Sequence, residues 1–299
     1  CGIRASVIGL GCNQFGSRLD LDGTRAVLDA ALEHGVTFLD TADRYGQTLS
    51  ETYMGEVLAG RRDEVVLATK FGLDLGDGYS GPRGAPEYIA RAVEGSLRRL
   101  RTDTIDLYWY HRPDGVTPIG DTLEALDRLV REGKVRAIGA SNFDAPQIRE
   151  ADRVARERGL TRFTAIQNEY SLLHREPEAE VLPLCEELEL AFIPYYPLAS
   201  GLLTGKYRRD APAPAGARLS GREQIASDEQ WRVLERLREF ARERGVALTD
   251  VAIGALLHRP AVASVICGAT SAQQVKSNAA AATAWRPSAE ELDALWALL

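Results

Sequence analysis

Eight short apolar runs, most of them separated by a stretch of helical periodicity, extend along this chain, and few folds accommodate that alternation. The runs are Val7–Gly11, Val36–Asp40, Val65–Lys70, Ile105–His111, Val135–Ser141, Ala165–Glu169, Ala191–Tyr196 and Val262–Gly268. Gly23–His34 puts Val27, Leu28, Ala31 and Leu32 on one helical stripe, and Gly35 stops it. A helix from Ser50 groups Met54, Val57 and Leu58, and the next has Pro86 in its first turn. Asp121 and Glu124 are spaced as a capping box for Thr122–Glu132, which Gly133 ends. Ala145–Arg158 and Pro177–Leu188 are the next helices. After the seventh run come a polar stretch, Gly201–Ser227, and the helices Asp228–Arg244 and Thr249–His258. Ala272–Ala282 and Ser288–Leu298 close the chain.

Strands alternating with helices imply a parallel sheet, either a closed barrel or an open doubly wound sheet. Two features favour closure: the count is eight, and the reactive side chains are spread over many strand ends instead of one switch point. No G-x-G-x-x-G follows the first strand, which weakens a Rossmann reading. The expected fold is α/β: a (β/α)8 TIM barrel with extra C-terminal helices and two long rim loops, Gly72–Gly84 and Gly201–Ser227. Loops of that length are expected to serve as lids or cofactor clamps. With no repeat beyond the βα unit and no linker-like composition, a single domain over residues 1–299 is expected.

Composition narrows the function classes. A chain that is 45% hydrophobic and 26% charged can build an ordinary globular core. Its net charge of −7 argues against nucleic acid or an anionic membrane as the main partner. No apolar run approaches the length of a membrane span. Cys1, Cys12, Cys185 and Cys267 lie far apart, so neither a zinc site nor a disulfide framework follows, and buried free thiols in a reducing cytoplasm are expected. A chain that starts at Cys1 gives no reading of targeting from that end.

The informative residues sit where apolar runs stop. Asp40, Lys70 and His111 end three runs, Ser141-Asn142 ends a fourth, and Tyr45 follows Asp40 in Asp40-Thr41-Ala42-Asp43-Arg44-Tyr45-Gly46. At one barrel rim these side chains would meet. An isolated phenol, with a pKa near ~10, exchanges protons poorly at neutral pH. A lysine ammonium beside it is expected to pull that pKa down, with a carboxylate holding the ammonium in place. Such a phenol suits protonation of a carbonyl oxygen, and a neutral imidazole can donate a hydrogen bond to the same oxygen. Nothing in the set accepts a hydride, so a redox cofactor has to supply the other half of the reaction.

Together these segments resemble the aldo-keto reductases, in the branch that includes potassium-channel β-subunit-like bacterial reductases. The resemblance rests on Asp40-Thr41-Ala42-x-x-Tyr45-Gly46, Thr69-Lys70-Phe71-Gly72 and Tyr110-His111-Arg112-Pro113, and extends from Val7-Ile8-Gly9-Leu10-Gly11 to the terminal helices. It implies a catalytic tetrad in which Tyr45 is the general acid/base, Lys70 and Asp40 tune it, and His111 orients the carbonyl. It also implies NADPH, or NADH, held extended across the C-terminal face of the barrel. Ser141, Asn142 and Gln167 match the positions that bind the nicotinamide carboxamide, and Tyr195 matches the aromatic stacked on the ring. Gly201, Leu202 and Lys206, with Arg218, match the pyrophosphate loop. Gly268, Thr270, Gln274 and Asn278 match the adenosine end, where many relatives carry a cation for the 2′-phosphate. Here the nearest cation is Lys276, with Arg218 as a substitute. Phe15, Arg112 and Tyr196 are candidates for the substrate pocket, and Trp109 is read as packing. By the same resemblance the chain begins inside the N-terminal hairpin and lacks a long C-terminal substrate loop.

The leading expectation is reversible NAD(P)H-dependent reduction of an aldehyde, ketone or sugar-like carbonyl, with a small-molecule carbonyl or alcohol as partner and no metal. Two alternatives stay open: a regulatory module that binds NAD(P)H with little turnover, and a Schiff-base aldolase or lyase with Lys70 as nucleophile.

Overall fold

A computed structural model describes residues 2–222 and 224–299. Its first half runs β1 (Ile8–Gly11), α1 (Leu21–Glu33), β2 (Phe38–Asp40), α2 (Leu49–Val57), β3 (Val66–Phe71), α3 (Pro86–Leu100), β4 (Ile105–Tyr110) and α4 (Ile119–Arg131). The second half runs β5 (Val135–Ser141), α5 (Ala145–Arg158), β6 (Ala165–Gln167), α6 (Val181–Glu187) and β7 (Ala191–Phe192). Then come α7 (Asp228–Glu243), α8 (Leu248–Leu257), β8 (Val265–Gly268), α9 (Ala272–Ala284) and α10 (Ala289–Trp296). The eight strands form one parallel sheet in the order β7-β6-β5-β4-β3-β2-β1-β8. β7 and the chain around β8 meet only through single bridges, Phe192 with Val262 and Tyr195 with Ile266. Backbone hydrogen bonds from Phe192 N to Ala261 O (2.7 Å) and from Ile266 N to Pro194 O (3.0 Å) tie that seam. The (β/α)8 barrel expected from the alternation is therefore the fold.

Register explains the interior. Phe38, Ala68, Leu107, Trp109, Ala137, Ala165, Ile193 and Ile266 form the cluster inside the barrel. Trp109 is fully buried there, as packing. Its ring fits because Gly139, its partner on β5, has no side chain: a Cβ there would lie 2.4 Å from the ring. We therefore expect Gly139→Ala to destabilise the fold by about 1–3 kcal/mol or more, read as a lower urea midpoint at unchanged slope. A second core joins Leu202, Leu203, Tyr207 and Leu219 to α7, α8 and Trp285.

Several local expectations change. α4 begins at Ile119 behind Pro118 with no side-chain cap, so Asp121 and Glu124 form no capping box. The Thr122 hydroxyl instead donates inward to Gly84 O (2.8 Å), and Asp114 accepts from the amides of Val116 and Thr117 in the turn just before the helix. Gly201–Ser227 is not simply a polar loop. It opens in a kinked turn over Ala199–Thr204, non-helical at Ser200 and Gly201, and is anchored by buried Leu202, Leu203, Tyr207 and Leu219. Gly72–Gly84 is pinned to α3 by Arg91–Asp77 (2.6 Å) and by Tyr79 packed on Tyr88, and within itself by Arg83–Asp74. Cys12, Cys185 and Cys267 are buried free thiols; Cys1 lies outside the described residues. No helix among the described residues is long and apolar enough to cross a membrane.

Candidate active site

Parallel strands in a barrel all point their C-terminal ends the same way, so residues at those ends share one face. Asp40 ends β2, Lys70 is next to last in β3, and His111 follows β4; Ser141 ends β5 and Gln167 ends β6. Tyr195 follows β7, and Gly268 ends β8. A cavity of about 990 Å³ opens over this face. It is at the upper end of ordinary ligand pockets.

Asp40, on the cavity floor, forms a buried ion pair with Lys70 just behind it. Lys70 Nζ also donates to Thr41 O (2.8 Å) and lies 5.1 Å from the centroid of the Tyr45 ring. The Tyr45 ring meets His111 edge-on, with centroids 5.8 Å apart. Burial acts to lower the Lys70 pKa, but the Asp40 carboxylate and Tyr45 outweigh it and raise the value above that of an ordinary lysine. Tyr45 departs from expectation. Burial raises its pKa, with Asp40 adding to the rise, and the pull of Lys70 does not compensate. The phenol is thus held neutral, which is the form that can give a proton.

His111 is shifted the other way. Burial, then Lys70, Arg112 and Arg44, hold its pKa well below the ordinary imidazole value. The ring is therefore neutral across the physiological range, and its Nδ1 has no hydrogen-bond partner among the described residues. The sign for stability follows directly. Below about pH 6.5 the unfolded chain takes up a proton that the folded chain refuses, so stability falls as pH drops through that range. Wild type should lose up to about 1.4 kcal/mol per pH unit more than His111→Gln below pH 6.5, measured by urea unfolding at pH 7.5, 6 and 5.

A hydrogen-bond network joins this group to the rest of the rim. Gln167 Nε2 donates to Asp40 Oδ1 (3.0 Å), and Ser141 Oγ donates to Gln167 O (2.8 Å). Asn142 Nδ2 donates to His111 O (2.9 Å), and the Tyr195 hydroxyl donates to Asn142 Oδ1 (2.7 Å). Asn142 sits at φ 60°, a left-handed conformation that asparagine tolerates better than most residues. Beneath the rim, Glu51 accepts from Thr69 Oγ1 (2.6 Å) and from Arg99 Nε (2.7 Å). That buried link fixes α2, which follows the Tyr45 loop, against β3 beside Lys70. Asp43 lies in the same region, where burial and then Glu51 push its carboxyl well above the usual range.

Farther along the cavity wall, Tyr196 and Ser200, and Ala199 between them, have positive φ (55°, 58° and 45°), strain of the kind that gathers at binding sites. Gly201 leaves room for the Lys206 stem, which a Cβ would approach to 2.8 Å. Burial and then Arg18 lower the Lys206 pKa. The segment 214–218 crosses the cavity wall, tied by Arg18 Nη1 to Gly216 O (3.3 Å) and by Arg218 Nη2 to the Tyr196 hydroxyl (2.6 Å). At the far end are Gly268, Thr270, Gln274 and Asn278, the last two on α9. The Thr270 amide donates to Gln274 Oε1 (2.8 Å).

These parts fit an extended dinucleotide: polar groups at one end, three cations midway, and a helix N-terminus at the other. Most of the expected residues line this one cavity. Lys70 lies just behind its wall. Besides Lys70, two more of the expected site residues do not line it. Phe15 is fully buried in the core behind the wall and forms no part of the substrate pocket expected of it. Leu202 packs its side chain into the second core and has only its backbone to offer. Lys276 is also off the wall. Asn13, Gln14 and Arg18 line it and were not foreseen, although the strand-end rule applied to β1 points straight at them.

The sequence profile of the Aldo/keto reductase family matches residues 7–299. The chain is 36% identical over 286 residues to "Uncharacterized oxidoreductase YrpG" of Bacillus subtilis (strain 168), covering 92% of this chain and 86% of that protein. It is also 36% identical over 290 residues to "Probable voltage-gated potassium channel subunit beta" of Oryza sativa subsp. japonica, covering 93% and 87%. A third relative, "Uncharacterized oxidoreductase YqkF" of Bacillus subtilis (strain 168), is 35% identical over 292 residues, covering 97% and 91%.

Proposed function

Because the chain belongs to the aldo/keto reductase family of NAD(P)H-dependent oxidoreductases, we propose that it reduces a small-molecule carbonyl reversibly at the Tyr45 end of the cavity. Bound NAD(P)H supplies the hydride. In this reading Tyr45 gives its phenolic proton to the carbonyl oxygen, and takes it back when an alcohol is oxidised. The neutral His111 ring donates to the same oxygen and sets its direction. Lys70, fixed by Asp40, stabilises the phenolate that Tyr45 becomes. The carrying observation is the network in which Gln167 ties Asp40 to Ser141 and Asn142, so that proton donor and ring-binding positions share one frame. Gln167, Ser141 and Asn142 would hold the carboxamide, Tyr195 the ring, Lys206 and Arg218 the pyrophosphate, with Gly201 and the Leu202 backbone. Gly268, Thr270, Gln274 and Asn278 would hold the adenosine end.

The rice relative is named as a probable channel subunit, which gives a regulatory role a footing, but the complete set of proton-handling residues argues for turnover. Lys70 as a Schiff-base nucleophile is opposed by its 1% exposure and its pairing with Asp40, which keeps the amine charged.

The cofactor is the first thing to test. Fluorescence titration should give tight binding of NADPH. Since among the described residues no cation lines the 268–278 end, we expect the NADH Kd to lie within about tenfold of it, a difference of about 1.4 kcal/mol. Binding of neither nucleotide would overturn the proposal, and a preference above a hundredfold would mean that Arg218 or Lys276 moves to grip the 2′-phosphate.

A further inference from the structure

The cavity wall is charged against the trend of the chain. Lysine and arginine number 36 against 43 aspartates and glutamates overall, yet among the described residues the wall carries Arg18, Arg44, Arg112, Lys206 and Arg218 against only Asp40 and Glu169. Asp40 is already paired with Lys70. Most arginines near the barrel have partners: Arg62 and Arg136 both pair with Asp106, and Arg99 pairs with Glu51. Arg44 and Arg112 are exposed, line the cavity, and have no carboxylate within ion-pair reach among the described residues.

Their location separates them from the other three cations. Arg18 bonds the Gly216 carbonyl, Arg218 bonds Tyr196, and Arg18 acts on Lys206, so that set belongs to the phosphate end. Arg44 stands one residue before Tyr45, and Arg112 one residue after His111. The charges of both act on the His111 ring. They are therefore positive charges at the reacting end, left over after a dinucleotide's phosphates are matched. Guanidinium groups bind carboxylates and phosphates through paired N–H donors.

We infer that Arg44 and Arg112 select a carbonyl substrate that carries an anionic group, a carboxylate or a phosphate, beyond the carbonyl being reduced. This rests on the carbonyl-reductase reading above and names the substrate class for that site. Glu169 faces Tyr195 across a single bridge on the same wall and repels such a group from its side, which leaves the arginine side as the seat.

The test compares 4-formylbenzoate, 4-formylphenyl phosphate and the neutral methyl 4-formylbenzoate with the NADPH-loaded enzyme. We expect kcat/KM for at least one anion to exceed that of the ester by tenfold or more, mainly through KM, and the better anion identifies the source. In the double variant Arg44→Glu/Arg112→Glu that ratio should fall below one. Isothermal titration of the product 4-(hydroxymethyl)benzoate into the NADP⁺ complex should show binding that the double variant loses. Equal kcat/KM for ester and both anions, or a ratio unmoved by the double variant, would overturn the inference alone. Reduction of none of the three would overturn the reading it rests on.

Discussion

Tyr45→Phe should lower kcat for carbonyl reduction by about 10²–10⁴-fold, the usual contribution of a positioned general acid, while the NADPH Kd stays within a factor of about two. The substitution removes one oxygen and leaves the ring to pack edge-on against His111. The environment of Tyr45 makes the result informative. Burial raises its pKa more than Lys70 lowers it, so the resting side chain is a neutral phenol with a proton to give. Reduction should therefore be flat through neutral pH, and alcohol oxidation, which needs the phenolate, should climb as pH rises. A Phe variant with full turnover would remove Tyr45 from the chemistry.

The second large effect is expected at Lys70→Met. Its ammonium is buried with the Asp40 carboxylate, at 1% and 4% side-chain exposure. Removing one member of such a pair leaves a buried charge uncompensated, which costs about 3–5 kcal/mol. Gln167 remains on Asp40 Oδ1, but Oδ2 loses its donor. Because the folded pKa of Lys70 is raised, the pair's contribution is full below the ordinary lysine pKa and is lost only as pH rises above it. The loss should therefore appear undiminished at pH 7, as a lower urea midpoint with kcat also depressed. Adding Asp40→Asn to the variant should recover part of the stability and none of the rate. If the double variant is no more stable than Lys70→Met, an uncompensated Asp40 charge is not the cause.

Much of this site is legible in the sequence because a parallel barrel converts strand ends into one surface. Asp40, Lys70, His111, Ser141 and Gln167 are far apart in the chain, yet each stands at or beside the end of an apolar run; the cavity gathers four of them, with Lys70 held just behind its wall by Asp40. Side-chain direction is harder to read. Phe15 follows β1 closely, but its ring turns into the core between strands and helices. Leu202 lies in the expected loop, yet its apolar side chain is drawn into the second core. Gly201–Ser227 reads as polar because its few apolar residues lack a helical or strand period. Those residues pack against α7, α8 and Trp285, whose proximity no local pattern reveals. The sign of the Tyr45 shift was also hidden, since it depends on how far burial outweighs a neighbouring charge, and burial is a tertiary property.

Direct reduction of a carbonyl with nicotinamide at the Tyr45–His111 end of the cavity leaves a label that can be followed. The most direct measurement is incubation of the protein with 4-formylbenzoate and NADPH dideuterated at C4, followed by mass spectrometry of the alcohol. One deuterium per product molecule is expected at the former carbonyl carbon, and none when unlabelled NADPH is used in deuterated water. Unlabelled alcohol, or consumption of the aldehyde through an adduct that borohydride traps on Lys70, would contradict it.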